Sequence, residues 1–215
     1  MMKEAGSWKQ EVFKKCNFIF VFISLIFSCE NSKEDVVKNG EEITILIQPF
    51  NDIEQKQLLE ISENIRKIYP KIKILKPIDF PKNTYYKPRN RYRADSIIKY
   101  LRTKTPKNCV TIGLTNKDIS ATKGKIADFG IMGLGYRPGN SCVASSFRLN
   151  SENKNEQFFK IAIHELGHTQ SLPHCKVKTC FMRDAEGKNP TNEEKDFCQN
   201  CKNILIKKHW KFKTI

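Results

Sequence analysis

The sequence lacks three features, and each absence excludes a class of protein. It contains no internal repeat, which excludes solenoids and other repeat architectures. No segment matches a recognised nucleic-acid-binding module, although the chain has a formal net charge of +15. Its apolar run at residues 18–27 is shorter than the roughly 20 residues that a membrane-spanning helix needs. Because the lysines are scattered, we interpret the charge as a solvated basic surface and expect no nucleic acid partner.

What the sequence does contain indicates one globular domain. Of the 215 residues, 39% are hydrophobic and 28% are charged, a balance typical of folded chains and not of disordered ones. A chain of this length can bury one substantial core but is too short for two ordinary enzyme domains. We therefore expect a single domain and a monomer.

The N-terminus has the pattern of an export signal. Two lysines precede the apolar run, and Ser28 and Cys29 follow it. A small residue before a cysteine at this place resembles the lipobox of bacterial lipoproteins, in which the cysteine is lipidated. We therefore expect a signal peptide at residues 1–28 and export to the cell envelope, with a lipid on Cys29 that anchors the protein to the membrane. An ordinary cleaved signal and an uncleaved anchor are the alternatives.

Residues 29–40 are polar and aperiodic and end in glycine, so we expect a flexible tether before a folded domain at residues 41–215. Three segments of that domain have the β-branched, apolar composition of strands, and helical spacings of apolar residues separate them. They are residues 43–50, 71–76 and 109–115. Two more strands are predicted in "DFGIMGLG" and "SCVASSFRL", joined by the turn "RPGN". The pattern predicts an α/β (α+β) fold, a twisted mixed sheet of about five strands with helices packed on it.

Three of the predicted helices have boundaries that particular residues indicate. One has Asp95 as its N-cap and ends before Pro106. Another covers residues 156–170. The last begins at a capping box formed by Thr191 and Glu194.

The stretch "HELGHTQSLPHC" begins in the helix of residues 156–170. His164 and His168 are four residues apart, so both imidazoles project from one helix face and can bind one ion. Glu165 points partly aside and is placed to hold a water on the metal. His174 can join them only if the chain leaves the helix and turns back. Three neutral nitrogen ligands with one open position are the arrangement of a catalytic zinc.

Four cysteines in this region have C-x4-C and C-x2-C spacing, which favours a tetrahedral zinc site. They are Cys175, Cys180, Cys198 and Cys201. Two disulfides among them are the alternative, because an exported protein can form such bridges. Cys109 and Cys142 fall on predicted strands and are either a disulfide or a pair of buried thiols.

The histidine motif, followed by "CKVKTCFM" and "CQNC", resembles the archaemetzincins, a family of zinc metallopeptidases. Their pattern joins the three histidines to four zinc-binding cysteines, and the resemblance extends over roughly residues 43–206. It implies a compact metzincin-like domain with an active-site helix and a zinc-stapled C-terminal helical part. It also implies two Zn²⁺ ions, a catalytic one at the histidines and a structural one at the cysteines.

The resemblance also implies two single-residue roles. Glu165 would be the general base, and Met182 matches the methionine of the turn that lies beneath the zinc-bound histidines in metzincins. Ser171 departs from the pattern, because it replaces the usual glycine. If the backbone is left-handed there, serine costs on the order of 1 to 2 kcal/mol relative to glycine. Since the free energy of zinc binding is about 10 kcal/mol or more, we expect zinc binding to survive, but we expect the orientation of His174, and hence the rate, to suffer.

These observations predict a hydrolase that cleaves peptide bonds, with a zinc-activated water as nucleophile and Glu165 as the base. The strand at residues 129–135 is expected to accept an extended peptide along its edge. Two alternatives share the same residues. One is a zinc-stabilised binding protein with impaired activity, and the other is a zinc amidase that acts on non-protein substrates.

Overall fold

A computed structural model describes residues 42–212 of the chain. The predicted signal peptide, the lipidated Cys29 and the tether lie outside the described residues, so export and lipid anchoring stay predictions. Within residues 42–212, no helix is both long enough and apolar enough to cross a membrane.

The described chain forms nine strands and four helices, with two short 3₁₀ turns between β2 and β4. The strands are β1 (Thr44–Pro49), β2 (Ile72–Ile74), β3 (Tyr85–Tyr86), β4 (Arg91–Arg93), β5 (Cys109–Thr115), β6 (Ile119–Lys123), β7 (Ile126–Ile131), β8 (Gly133–Gly135) and β9 (Ser141–Ser145). The helices are α1 (Gln55–Ile68), α2 (Ala94–Lys104), α3 (Lys154–Thr169) and α4 (Gln199–Lys207).

The main sheet has five strands, which agrees with the predicted number, and their order is β2-β1-β5-β9-β8. The first four are parallel, and β8 pairs antiparallel with β9 at the edge. Parallel strands need crossover connections, and α1, α2 and the second sheet lie in these connections. β1 and β9 are almost wholly buried because helices cover both faces.

Alternate residues of β9 belong to different halves of the core. Cys142 and Ala144 face the cluster formed with α1, α3 and α4, whereas Val143 faces the cluster formed with α2. This alternation follows from the two-residue period of a strand. The predicted layering of helices on a mixed sheet is therefore confirmed, and α3 lies directly on β9 and β8.

A second sheet, in the order β3-β4-β6-β7, was not predicted. The predicted strand "DFGIMGLG" divides between the two sheets at Met132, where the chain bends. β7 ends in the second sheet and β8 begins the edge of the main sheet, so the two sheets meet at this bend.

Two predicted helix starts are wrong. Helix α2 begins at Ala94, and Asp95 lies in its first turn, where its carboxylate accepts hydrogen bonds from Arg93 and Tyr136. Helix α4 begins at Gln199, with Cys198 at its N-cap. Thr191 and Glu194 form no capping box, because the Thr191 hydroxyl donates to the side chain of Asn189 and the two residues lie in a turn before the helix.

Candidate metal centres

Helix α3 presents the first part of the histidine motif. Its apolar residues, including Phe158, Ala162 and Leu166, are buried against the main sheet and α1, which fixes the rotation of the helix. His164 and His168 therefore project together from the remaining face, one turn apart.

The chain reverses direction immediately after α3. The Ser171 N–H donates to the His168 carbonyl (2.9 Å), and the Leu172 N–H donates to the Gly167 carbonyl (3.1 Å). This pair of hydrogen bonds is a Schellman motif, which requires a left-handed residue between its two arms. Ser171 is that residue, with φ +73°. The backbone at Ser171 is therefore left-handed, and the serine is strained relative to glycine.

The reversal brings His174 back to the helix. Its Nε2 lies 3.2 Å from Nε2 of His168, and one nitrogen from each of the three histidines lies within 4.8 Å of the others. The three side chains predicted to share an ion are therefore together, although His174 comes six positions after His168.

An oxygen acceptor holds the other ring nitrogen of each histidine. Nδ1 of His164 contacts the Phe181 carbonyl (2.7 Å), and Nδ1 of His168 contacts the Leu172 carbonyl (2.8 Å). Nδ1 of His174 lies 3.2 Å from a carboxylate oxygen of Asp184. Since these oxygens can only accept, each Nδ1 carries a hydrogen, and in a neutral ring Nε2 is then the nitrogen with the free lone pair.

Burial keeps two of the rings neutral. It lowers the pKa of His164 to about 3, with the neighbouring His168 adding to the effect, and it lowers the pKa of His168 as well. A neutral imidazole is the form that binds a metal. His164 and His168 are therefore in the metal-binding form at neutral pH.

Glu165 lies beneath the edge strand β8. A side-chain carbon at Gly133 or Gly135 would overlap Glu165, so only glycine allows the strand to pass this close. Burial raises the pKa of Glu165 to about 8. The predicted base thus lies between the helix and the strand expected to accept substrate.

Met182 is fully buried beside α3. A side-chain carbon at Gly167 would overlap its sulfur, so the methionine packs directly on the helix next to His168. Its carbonyl accepts a hydrogen bond from the Cys175 N–H (2.7 Å), which ties it to the chain just after His174. This position agrees with an apolar support beneath the histidines.

The four cysteines form a second cluster. Their sulfur atoms all lie within 4.8 Å of one another, and the shortest separations are 3.7 Å, for Cys175 to Cys198 and for Cys180 to Cys201. A disulfide has sulfur atoms about 2.05 Å apart. All four thiols are free, so the alternative of two bridges does not describe this arrangement.

Cys109 and Cys142 are also free thiols. They lie on the adjacent strands β5 and β9, but Cys142 pairs with Ile112, three residues along from Cys109. This register separates them by roughly 10 Å, well beyond the reach of a disulfide. Of the two alternatives left open, the structure shows separate thiols.

An open cleft of about 690 Å³ runs over the histidines. One wall is formed by β7 and β8, and the other is formed by the loop at residues 183–191. Asp184, which contacts His174, belongs to the loop. Asp184 was not predicted from the sequence, because no spacing rule links a loop carboxylate to a histidine ten residues earlier. Arg148, which lies on the strand side of the cleft, was not predicted either.

A sheet with a helix-borne histidine cluster, a buried glutamate and an open cleft defines the class of single-domain metallohydrolases. Comparison with known proteins agrees, since the model of peptidase family M54 matches residues 36–208. The chain belongs to this family, the archaemetzincins, and is a zinc metallopeptidase. The predicted family and fold class are confirmed.

Similar proteins cover most of the chain. The archaemetzincin of Archaeoglobus fulgidus is 32% identical over 162 residues, which are 73% of this chain and 95% of the relative. Its crystal structure in complex with malonate superposes with a TM-score of 0.64 at 28% identity, covering 75% of this chain and 99% of that one. The archaemetzincin structure from Methanopyrus kandleri has the same fold, with a TM-score of 0.66 at 24% identity, covering 80% and 97%.

The left-handed backbone at Ser171 predicts that Ser171→Gly stabilises the protein. Removing the strain gains about 1 to 2 kcal/mol, and the added freedom of glycine in the unfolded chain takes back about 0.4 to 1 kcal/mol. We expect a net gain of about 0.5 to 1 kcal/mol in the free energy of unfolding, or roughly 2 °C in melting temperature, measured by circular dichroism. Ser151→Gly is the control, because Ser151 is an exposed loop serine without positive φ. If both variants shift the melting temperature equally, the strain argument is wrong.

Proposed function

We propose that the histidine cluster binds the catalytic zinc of a peptide-bond hydrolase, that Glu165 is its general base, and that the four cysteines bind a second, structural zinc. The observation that carries this proposal is the convergence of one nitrogen from each of three histidines beside a buried carboxylate at the floor of an open cleft. His164, His168 and His174 fit a catalytic zinc, because three neutral nitrogen donors leave one position open for water.

The cysteine cluster fits a closed site of the other kind. Four sulfur donors complete a tetrahedron and leave no position for substrate. Backbone N–H groups of Val177, Met182 and Cys198 point at two of the sulfurs, at 3.3 to 3.5 Å. Such contacts stabilise the thiolate, and the thiolate is the form of cysteine that binds zinc.

His164, His168 and His174 would hold the zinc, whose positive charge would lower the pKa of a bound water to about 7 and that of the Glu165 carboxyl below its buried value of about 8. Glu165 then accepts the proton of the attacking water on a carboxylate oxygen and returns it to the leaving amine. β8 lies over this carboxylate and limits its movement, so the proton is exchanged at a fixed place.

The free edge of β8 is suited to hold the peptide. Among residues 42–212, β8 is the last strand of the main sheet, so one row of its backbone N–H and C=O groups has no neighbouring strand from this part of the chain. An extended substrate can pair with this edge as an added strand. Because residues 133 and 135 are glycines, β8 lies close to Glu165, so a peptide paired with this strand would lie near the proposed base.

Glu165→Gln tests the assigned base. The amide keeps the shape of the side chain but cannot accept the proton, so kcat/KM for a peptide library should fall at least 100-fold. Zinc content, measured by plasma emission spectrometry, should stay at two ions per chain because Glu165 is no ligand. Glu152→Gln, at an exposed residue just before α3, should leave both quantities unchanged. Cleavage by Glu165→Gln at the wild-type rate would show that Glu165 is not the general base.

Cys201→Ser tests the second metal site. Cys201 is buried among the other three cysteines, so its loss leaves three sulfur donors and an incomplete tetrahedron. We expect zinc content to drop from two ions per chain to one and the melting temperature to fall. Cys109→Ser, which changes a thiol outside the cluster, should keep two ions. Two zinc ions in both variants would contradict a four-cysteine site.

Asp184→Asn tests how the exposed histidine is oriented. The amide can still accept from Nδ1 of His174 but loses the charge that makes the ring a stronger donor to zinc. We expect the zinc affinity of the histidine site to fall about 10-fold to 100-fold in competition with a chromophoric chelator. Glu186→Gln is the control, since it removes an exposed charge from the same loop. Equal affinities for the two variants would show that Asp184 does not act through His174.

A further inference from the structure

The strand wall of the cleft carries two basic side chains, Lys123 and Arg148, and no acidic side chain among the described residues that line it. Glu165 lies on the floor, and the opposite side carries charges of both signs, namely Arg183, Asp184, Glu186, Lys188 and Glu194. Nζ of Lys123 lies 4.6 Å from the centre of the Phe129 ring, which holds it against the same wall. The strand wall therefore presents positive charge to anything that lies along β7 and β8.

Arg148 is fixed in place before any ligand arrives. Its Nε and Nη2 donate to the two carboxylate oxygens of Asp118, each at 2.8 Å. Asp118 is 8% exposed and also accepts from Nε of Arg91 (2.7 Å), so the carboxylate cannot turn away. A bidentate pair of this kind sets the plane of the guanidinium.

A glycine makes room for the guanidinium under β7. A side-chain carbon at Gly130 would overlap Nη2 of Arg148, so any other residue would displace the arginine from the cleft wall. β7 therefore passes over Arg148 much as β8 passes over Glu165. Both functional side chains lie beneath glycines of one continuous stretch.

Arg148 still has a free hydrogen-bond donor after these contacts. Its Nη1 has no hydrogen-bond partner among residues 42–212. The surrounding network pairs four arginines with three aspartates and so leaves a surplus positive charge. Its members are Arg89, Arg91, Arg93, Arg148, Asp95, Asp118 and Asp128. A guanidinium with a free donor, in a cleft and in a positive field, is suited to bind a carboxylate.

We propose that Arg148, assisted by Lys123, binds a carboxylate of the peptide substrate and makes this enzyme selective for peptides that carry negative charge near the scissile bond. This inference rests on the proposed function for the direction in which the peptide lies. Gly130 and Gly133 are three residues apart, so the anchor lies within about 10 Å of the strand segment over Glu165. The carboxylate should therefore lie within about three residues of the cleaved bond.

The cleavage test uses matched peptides. A library cleaved by the wild-type enzyme should be enriched in Asp or Glu at one position within three residues of the cut. For a peptide pair that differs only by Glu or Gln there, Arg148→Met should lower the Glu-to-Gln ratio of kcat/KM on the order of 10-fold. Arg148→Lys should lower it less, because it keeps the charge but loses the fork. Arg102→Met, at an exposed residue of α2, should leave the ratio unchanged.

A binding test separates this inference from the proposed activity. Fluorescence anisotropy of a labelled acidic peptide on the Glu165→Gln protein should give a Kd that rises about 10-fold when Arg148→Met is added. Repeating it with amidated peptides distinguishes a side-chain carboxylate from the C-terminal one, since amidation weakens binding only in the second case. If the wild-type protein cleaves no peptide, the proposed function is wrong. The change of Kd on Arg148→Met still decides whether Arg148 binds a carboxylate.

A purely structural role for Arg148 would give a different result. Arg148→Met would then lower kcat/KM for both members of the peptide pair by one factor, and the Glu-to-Gln ratio would stay at its wild-type value, which would overturn the proposal. If Arg148→Met fails to fold by circular dichroism, Lys123→Met takes its place, because Lys123 is an exposed residue outside the ion-pair network. An unchanged ratio in that variant and in Arg148→Lys would equally overturn it.

Discussion

The reversal of the chain at the end of α3 is the constraint on which the candidate active site depends. A helix can place two histidines on one face, but it cannot bring a third ligand six residues later to the same point. The Schellman turn does so by bonding Ser171 and Leu172 back to the last turn of the helix. The same turn directs the Leu172 carbonyl at Nδ1 of His168, so one backbone feature both returns the chain and orients a histidine.

The two clusters depend on each other through the chain between them. Cys175 follows His174 directly, and Phe181 and Met182 follow Cys180 directly. The Phe181 carbonyl holds His164, and the Met182 side chain supports α3. This segment has little regular structure of its own, so the cysteine cluster is what fixes its position. A change at the cysteines should therefore reach the histidines through Phe181 and Met182, although none of the six cysteines that the structure describes contributes to the cleft lining.

The sequence predicted the parts of the fold that have a strong period or a fixed spacing. The buried strands β1, β5 and β9 and the helix α3 follow from apolar patterns, and both ligand clusters follow from histidine and cysteine spacing. The second sheet was missed because β3 and β4 are two or three residues long and polar, too short for any period to show. Asp184 and Arg148 were missed because their roles depend on contacts between distant segments, which a single sequence does not encode locally.

The strain at Ser171 also bears on why the turn is stable. A left-handed serine costs on the order of 1 to 2 kcal/mol, and such strain persists only where the surrounding structure over-determines the backbone. Here Leu172 is fully buried on one side of Ser171, and His168 is held on the other side by its hydrogen bond to the Leu172 carbonyl. Because packing and hydrogen bonds fix the residues on both sides, the left-handed geometry does not require glycine. The strain then lowers the free energy of unfolding, and its effect on the catalytic rate stays a prediction.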